Sequence, residues 1–249
     1  MSRRPLITVL LLLAGPPLLG GGARAGDAPE SETKEEPTAS LVAEPPVSPA
    51  PPEPPPSPTS IAFVIDASGT MNRQLGRNEH TRIASVRISV REAIQALASH
   101  PTFEVWGRVY GPEGCHATRA LPPASRGRTG PMLRALAAVG AHGPAPLVAA
   151  IAEAEQALLR RSGRRVLIVI TDGRDSCGGD PADLAPQPGI ERHVLGLSVR
   201  PSTAGELLAI GEYTEIRSPA DLTVALGRIA GDLLSAPPVT ADSAHSTSR

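Results

Sequence analysis

Two strongly apolar runs that each end in an aspartate constrain the fold of this chain more than any other feature. The first run covers residues 61–65 and leads into Asp66, and the second covers residues 166–170 and leads into Thr171 and Asp172. Uninterrupted apolar runs rich in β-branched residues are typical of parallel strands that are buried on both faces. Because α/β folds bind ligands at the carboxyl ends of such strands, both aspartates are predicted to lie at a functional edge.

Helical and strand-like segments alternate along the rest of the chain. The predicted helices cover residues 81–99, 131–139, 146–161, 203–210 and 219–234, and the further strands cover residues 103–110, 117–121, 194–199 and 213–216. Strands that alternate with helices indicate an α/β fold with a doubly wound, mostly parallel sheet. Together with the two apolar runs, this predicts six strands with helices on both faces.

The residues that follow the first strand bring several side-chain oxygens together. Asp66, Ser68 and Thr70 alternate along the chain, and Gly69 between them permits a tight turn. A carboxylate beside two hydroxyls suits Mg²⁺ or Ca²⁺ better than zinc. No base stands beside either hydroxyl, so the cluster does not indicate covalent catalysis.

This cluster resembles the metal-ion-dependent adhesion site of the von Willebrand factor type A family. That site is written Asp-x-Ser-x-Ser, followed by a distant threonine and a distant aspartate. Asp66, Ser68 and Thr70 match the first element, with threonine keeping the hydroxyl of the last serine, and Asp172 matches the final aspartate. The middle element commonly reads Gly-x-Thr-Pro-Leu, whereas this chain reads Gly-Pro-Ala-Pro-Leu. Ala145 therefore replaces the expected threonine and removes one oxygen.

The resemblance covers residues 60–235 and implies both a fold and a function. It implies a central sheet with one short antiparallel edge strand, which would be residues 117–121. It also implies a non-catalytic module that binds an unidentified protein, whose acidic side chain completes the metal site. The expected ion is Mg²⁺, with Mn²⁺ or Ca²⁺ as substitutes, and binding is expected to be weak because Ala145 supplies no oxygen.

A second motif narrows the resemblance to an exported bacterial subgroup. Residues 171–181 read Thr-Asp-Gly-Arg-Asp-Ser-Cys-Gly-Gly-Asp-Pro. In the subgroup, Asp-Gly is followed by an acidic residue, Ser or Thr, and then Cys-Gly-Gly-Asp-Pro-Cys. The last cysteine of that pattern is Ala182 in this chain. No biochemical activity follows from this likeness.

Cys115 and Cys177 are the two cysteines of the chain. Both are predicted in loops at the carboxyl ends of strands, and an exported protein meets oxidising conditions. We predict a disulfide bond between them. The alternative is two free thiols, since the subgroup's usual partner position is Ala182.

The terminal segments differ in composition from the central part. Residues 1–25 combine two arginines, an apolar run and an Ala-Arg-Ala cleavage site, which is typical of a secretory signal peptide. Residues 26–60 are rich in Pro, Glu and Ser and hold seven acidic residues against one basic residue, which predicts a disordered linker. Residues 236–249 are predicted to be a disordered tail, and residues 61–235 are predicted to form one domain.

These segments predict an exported protein that is periplasmic, extracellular or attached to the cell surface. The alternative is a signal segment that stays uncleaved as an N-terminal anchor. No second apolar segment of the sequence is long enough to span a bilayer. Over residues 61–249, twenty Arg and no Lys face eighteen Asp and Glu. This near balance, without a basic stripe, gives no indication of nucleic-acid binding.

Two further functions remain as alternatives. A metal-free interaction scaffold is the first, with Ala145 as its main support. A haloacid-dehalogenase-like phosphatase is the second, because Asp-x-Ser-Gly-Thr resembles its Asp-x-Asp-Gly-Thr nucleophile loop. Ser68 stands where that family has its general acid, and a hydroxyl does not supply this proton near neutral pH.

Overall fold

The computed structural model describes residues 57–77 and 80–236. The predicted signal peptide, most of the predicted linker and nearly all of the predicted tail lie outside the described residues. Within them, no helix is both long enough and apolar enough to cross a membrane. The regular elements run from Thr59 to Ser235, close to the predicted domain of residues 61–235.

Six strands form one sheet. They are β1 (Thr59–Asp66), β2 (Phe103–Gly111), β3 (Gly114–Ala124), β4 (Arg164–Thr171), β5 (Glu191–Leu197) and β6 (Glu212–Ile216). Their order across the sheet is β3-β2-β1-β4-β5-β6. All neighbours pair in parallel except β2 and β3, which are antiparallel. The predicted doubly wound α/β sheet with one antiparallel edge strand is confirmed.

The edge strand β3 is longer than the sequence predicted. It has 11 residues, where the apolar pattern indicated only residues 117–121. Leu121 and Ala124 are its only buried residues. The exposed edge of a sheet lacks the alternation that reveals a half-buried strand, so the sequence pattern marked only its middle part.

Among the described residues, five α-helices cover the two faces of the sheet. They are α1 (Arg82–Leu97), α2 (Gly130–Ala137), α3 (Leu147–Leu159), α4 (Pro201–Leu208) and α5 (Pro219–Ser235). Helices α1, α2 and α5 pack on one face, and α3 and α4 pack on the other. Helices on both faces explain why the central strands carry uninterrupted apolar runs.

Strand β1 shows how the sequence builds both cores. Its eight residues are all buried. Ile61, Phe63 and Ile65 face the α1 side, whereas Ala62 and Val64 face the α3 side. Each large apolar side chain buried in this way contributes about 1.5–3 kcal/mol to stability.

The strand order reverses between β1 and β4. From β1 the chain continues to β2 and β3 on one side, and from β4 it continues to β5 and β6 on the other. Ile65 pairs with Ile170, so Asp66 and Thr171 lie side by side at the carboxyl edge. A reversal of this kind leaves a crevice between the outgoing loops, which is where doubly wound sheets bind ligands.

Candidate functional site

The crevice brings together residues that the sequence predicted as one site. After β1 the chain enters a short 3-10 turn over Gly69–Asn72. The hydroxyl oxygens of Ser68 and Thr70 lie 3.1 Å apart. Thr70 Oγ1 donates a hydrogen bond of 2.8 Å to Asp172 Oδ1. The β1 loop and the β4 loop are thus joined through polar side chains, although 102 positions separate these two residues in the chain.

Asp66 lies beneath this cluster, with only 1% of its surface exposed. Its Oδ1 accepts a hydrogen bond of 2.8 Å from the backbone N–H of Ser68, and its Oδ2 accepts one of 2.9 Å from Thr171 Oγ1. Tyr110 donates its phenolic proton to Thr171 Oγ1 at 3.0 Å. Burial, followed by the nearby charge of Asp172, raises the pKa of Asp66. The Asp66 carboxylate therefore connects the end of β1 to the end of β4 beneath the cavity.

Arg82 is a residue of the site that the sequence analysis did not identify. It is the first residue of α1, and its Nη1 forms an ion pair with Asp172 Oδ2. The Arg82 side chain is 11% exposed and that of Asp172 is 4% exposed. Both carboxylate oxygens of Asp172 are engaged, one by Thr70 and the other by Arg82. The Nε of Arg82 is buried and has no hydrogen-bond partner among the described residues.

The loop before α3 forms another side of the site. Ala145 lines the cavity, and its backbone N–H donates to Ser176 Oγ at 2.7 Å. Gly69 donates its N–H to the carbonyl oxygen of Gly143 at 2.9 Å. Gly143 has φ of +79°, and a Cβ there would lie 2.3 Å from the carbonyl oxygen of Gly111. Only glycine allows this close approach, which fixes the loop against the β1 and β2 ends.

The loop after β4 is fixed by a disulfide bond and by a carboxylate. Cys115 and Cys177 are bonded with their Cα atoms 5.4 Å apart, which confirms the predicted pairing. Asp175 Oδ1 accepts hydrogen bonds from the N–H of Cys177 at 2.7 Å and of Gly179 at 3.0 Å. Its Oδ2 accepts from the N–H of Val148 in the first turn of α3, at 2.9 Å. Asp175 thus holds the loop against α3.

These loops enclose a cavity of about 360 Å³ at the carboxyl edge of the sheet. Six hydroxyl side chains line it, and Asp172 is the one carboxylate on its wall. Four arginines, which the sequence analysis did not assign to the site, also line it: Arg73, Arg82, Arg174 and Arg200. The wall is therefore polar and carries more positive than negative charge.

This donor set fits a divalent cation poorly. The described residues contain no group of three or more His, Cys, Asp or Glu side chains that could hold a metal ion. Asp172 is paired with Arg82, and Asp66 accepts protein hydrogen bonds on both oxygens. Ala145 adds no side-chain oxygen. Weak Mg²⁺ binding at these residues stays a prediction, and Arg82 is the positive charge that the structure places there.

No model of a known protein family matches the chain. In sequence, 178 residues are 26% identical to a protein of Bacillus subtilis (strain 168) described as the uncharacterized protein YwmC, and the match covers 63% of this chain and 76% of that protein.

Solved structures of three proteins resemble this one. The PilB minor pilin from Streptococcus sanguinis has a TM-score of 0.58 at 13% identity, covering 75% of this chain and 65% of that chain. The vWF domain of the type V pili tip protein Mfa5 from Porphyromonas gingivalis has a TM-score of 0.57 at 12% identity, covering 74% and 99%. A von Willebrand factor type A protein from Catenulispora acidiphila has a TM-score of 0.54 at 19% identity, covering 70% and 42%. The match thus spans less than two thirds of the pilin and of the Catenulispora protein. These likenesses establish a von Willebrand type A-like fold.

Proposed function

We propose that this chain is an exported or surface-displayed, non-catalytic module that binds another protein through the cavity at the carboxyl edge of its sheet. The observation that carries this proposal is the hydrogen bond from Thr70 to Asp172, because it joins two strand ends around one open polar cavity. Of the residues predicted from the adhesion-site motif, Ser68, Thr70 and Asp172 line this cavity, and Asp66 lies buried beneath them. The similar folds of a minor pilin and a pilus tip protein support a role outside the cell.

The contacts in the cavity favour binding over catalysis. The Ser68 and Thr70 hydroxyls contact each other and Asp172, whose charge is neutralised by Arg82. Neither hydroxyl touches a histidine or a free carboxylate that would remove its proton. In the phosphatase alternative, Asp172 and Asp175 would form the acidic pair that binds the metal ion. That alternative loses support as well, since the Asp175 carboxylate accepts three backbone hydrogen bonds and is committed to loop structure.

A metal-bridged version of this function is the second candidate. Ser68, Thr70 and Asp172 do lie in contact, as the adhesion-site resemblance requires. Mg²⁺, or Mn²⁺ or Ca²⁺ in its place, would have to compete with Arg82 for the Asp172 carboxylate. We therefore favour partner binding that needs no metal.

The proposal is tested by affinity capture from the native cell envelope with the full chain, with and without EDTA. Thr70→Val removes the hydroxyl that joins the two loops and keeps the side-chain shape. Thr102→Val, just before β2 at the amino edge of the sheet, is the matched control. We expect one partner to be retained by the wild-type and control chains, with or without EDTA, and to be depleted by Thr70→Val. Equal capture by the Thr70→Val chain would contradict the proposal, and loss in EDTA alone would indicate the metal-bridged version.

A further inference from the structure

We propose that the cavity binds the side-chain carboxylates of an acidic polypeptide segment directly through arginine, without a bridging metal ion. This inference rests on the proposed function, because it takes the same cavity as the binding surface. It adds the chemistry of the partner and the residues that recognise it.

The charges on the cavity wall carry the inference. Arg82 and Asp172 form an ion pair, so their charges cancel. Arg174 pairs with Glu206 at 2.6 Å. Arg73 and Arg200 are exposed, and neither has an acidic partner among the described residues. The cavity therefore presents two guanidinium groups whose charge is not balanced by a neighbouring side chain.

The backbone around Arg73 is held in place by the site itself. Its N–H donates to the carbonyl oxygen of Thr70 at 3.0 Å, and its own carbonyl oxygen accepts from the N–H of Arg82 at 2.8 Å. Arg73 thus connects the 3-10 turn that carries the Thr70 hydroxyl with the first turn of α1. A side chain attached to a fixed backbone loses less freedom when it binds a ligand.

Arg200 reaches the cavity from the loop after β5, where the backbone is unusual. Ser198 also lines the cavity and has φ of 50°, the one positive value among the described non-glycine residues. Such a conformation is unfavourable for a side chain larger than glycine and persists where surrounding contacts impose it. Here the Ser198 N–H donates to the carbonyl oxygen of Ile216 at 2.8 Å, which anchors the turn two residues before Arg200.

The two free arginines lie on loops that flank the β4 loop. Strand β4 lies between β1 and β5 in the sheet, so Arg73 and Arg200 approach the cavity from its two sides. A guanidinium group matches the geometry of a carboxylate and can bind both of its oxygens. Two guanidinium groups with hydroxyls between them suit neighbouring carboxylates of one segment.

The same charges explain why no metal is needed. In the metal-ion-dependent adhesion site that this chain resembles, a cation next to the aspartate attracts the acidic side chain of the partner. In this chain Arg82 already cancels the charge of Asp172, and Ala145 stands where the family supplies a further oxygen. The positive charge that remains for a ligand belongs to Arg73 and Arg200. Two guanidinium groups on anchored backbone would thus bind a carboxylate without the ion.

The test measures binding of a fluorescent hexaglutamate peptide to the full chain by anisotropy at about 0.15 M salt, where long-range attraction between exposed charges is screened. Hexaglutamine is the uncharged control of the same size. We expect hexaglutamate to bind equally well with and without EDTA, and hexaglutamine not to bind. Arg73→Gln with Arg200→Gln should weaken hexaglutamate binding by about tenfold or more. Arg160→Gln with Arg228→Gln removes two exposed arginines that do not line the cavity and should change the affinity by less than about twofold.

Several outcomes would overturn the inference. These are equal binding of hexaglutamine, loss of hexaglutamate binding in EDTA, and an unchanged affinity of the Arg73→Gln, Arg200→Gln chain whose circular dichroism is native. Displacement of the peptide by inorganic phosphate at a lower concentration than by acetate would assign the cavity to phosphoryl groups instead. If hexaglutamate fails while partner capture still depends on Thr70, the proposed function stands without this inference; if both fail, neither stands.

Discussion

Two buried arginine–carboxylate pairs, one on each side of the β-sheet, differ in how completely they are satisfied. Arg192 contacts Glu155, and each side chain is 5% exposed. Its remaining donors bond three backbone carbonyl oxygens, those of Leu184, Ile210 and Ala185. Arg82 contacts Asp172 at the cavity, and its Nε has no partner among the described residues.

The difference separates a structural pair from a pair at the proposed binding site. Arg192 has partners on all three of its guanidinium nitrogens, so the pair ties β5 to α3 and to two loops and offers nothing to a ligand. Arg82 and Asp172 instead line the open cavity at the carboxyl edge of the sheet, where a ligand can contact them.

Breaking the structural pair should have the largest effect on stability. Glu155→Ala leaves the Arg192 guanidinium buried without a counter-charge, and we expect the free energy of unfolding to fall by about 3–5 kcal/mol. Urea denaturation followed by circular dichroism measures this loss. Glu215→Ala, which removes the partner of the exposed Arg217, is the control and should change stability by less than about 1 kcal/mol. A loss for Glu155→Ala as small as that of the control would remove the distinction between the two pairs.

Removing the disulfide bond should lower stability mainly in the loops around the cavity. The bond joins positions that are 62 residues apart, and the chain-entropy model gives a stabilisation of about 4 kcal/mol for a loop of this size. We expect Cys115→Ser with Cys177→Ser to lower the free energy of unfolding by about this amount or somewhat less.

Hydrogen exchange distinguishes local from global effects in this variant. In the loop that follows Asp172, amide exchange should accelerate, because Cys177 no longer ties it to the start of β3. The amides around Arg192 should keep their relative protection, since that pair makes no contact with the disulfide. Uniform acceleration throughout the domain would contradict this expectation.

Replacing Arg82 should free the Asp172 carboxylate to bind a cation. Arg82→Gln leaves Asp172 charged, but Thr70 still donates to it and the cavity admits water. We therefore expect a loss of about 1–3 kcal/mol, smaller than for the structural pair. Hexaglutamate affinity should fall, and isothermal titration calorimetry should now detect Mg²⁺, more tightly when Ala145→Thr is added.

The double variant Arg82→Gln, Asp172→Asn provides the control. It restores neutrality at the same place and should bind hexaglutamate within about threefold of the wild type, with no Mg²⁺ signal. If the wild type binds Mg²⁺ as tightly as Arg82→Gln does, Arg82 does not act in place of a metal.

The sequence revealed the parts of this site that are local. Asp66, Ser68 and Thr70 were predicted together because they follow one apolar strand within five positions, and Asp172 follows another such strand. The strand pattern also predicted the sheet, since both faces of β1 and β4 are buried. Local patterns of this kind predict the folded structure correctly because the elements that carry them form the core.

The residues that the sequence did not reveal depend on distant contacts. In the sequence, Arg82 and Arg192 do not differ from other helix and strand arginines. Only the fold places Asp172 beside Arg82, from 90 positions away in the chain, and Glu155 beside Arg192, from 37 positions away. Tyr110 is the next-to-last residue of β2, and nothing in the neighbouring sequence shows that its hydroxyl bonds Thr171. An arginine or a tyrosine has no spacing rule comparable to that of a strand, so such pairs require the structure.

The smallest expected effect on stability concerns Asp66, which lies buried near Asp172 of the cavity pair. Burial, followed by the charge of Asp172, raises the pKa of Asp66 above its usual 3.8, so the folded state disfavours its ionised form. Asp66→Asn removes that charge and should raise the free energy of unfolding near neutral pH, less what is lost when the amide no longer accepts from Thr171. The folded wild type binds more protons at this residue than the unfolded chain does. Its stability therefore falls as pH rises from the usual pKa through the raised one.

The advantage of Asp66→Asn should be full above that range and should vanish below about pH 4. Thermal unfolding of both chains across this range checks the sign, and an advantage that grew as the pH fell would show that Asp66 is stabilised as a carboxylate.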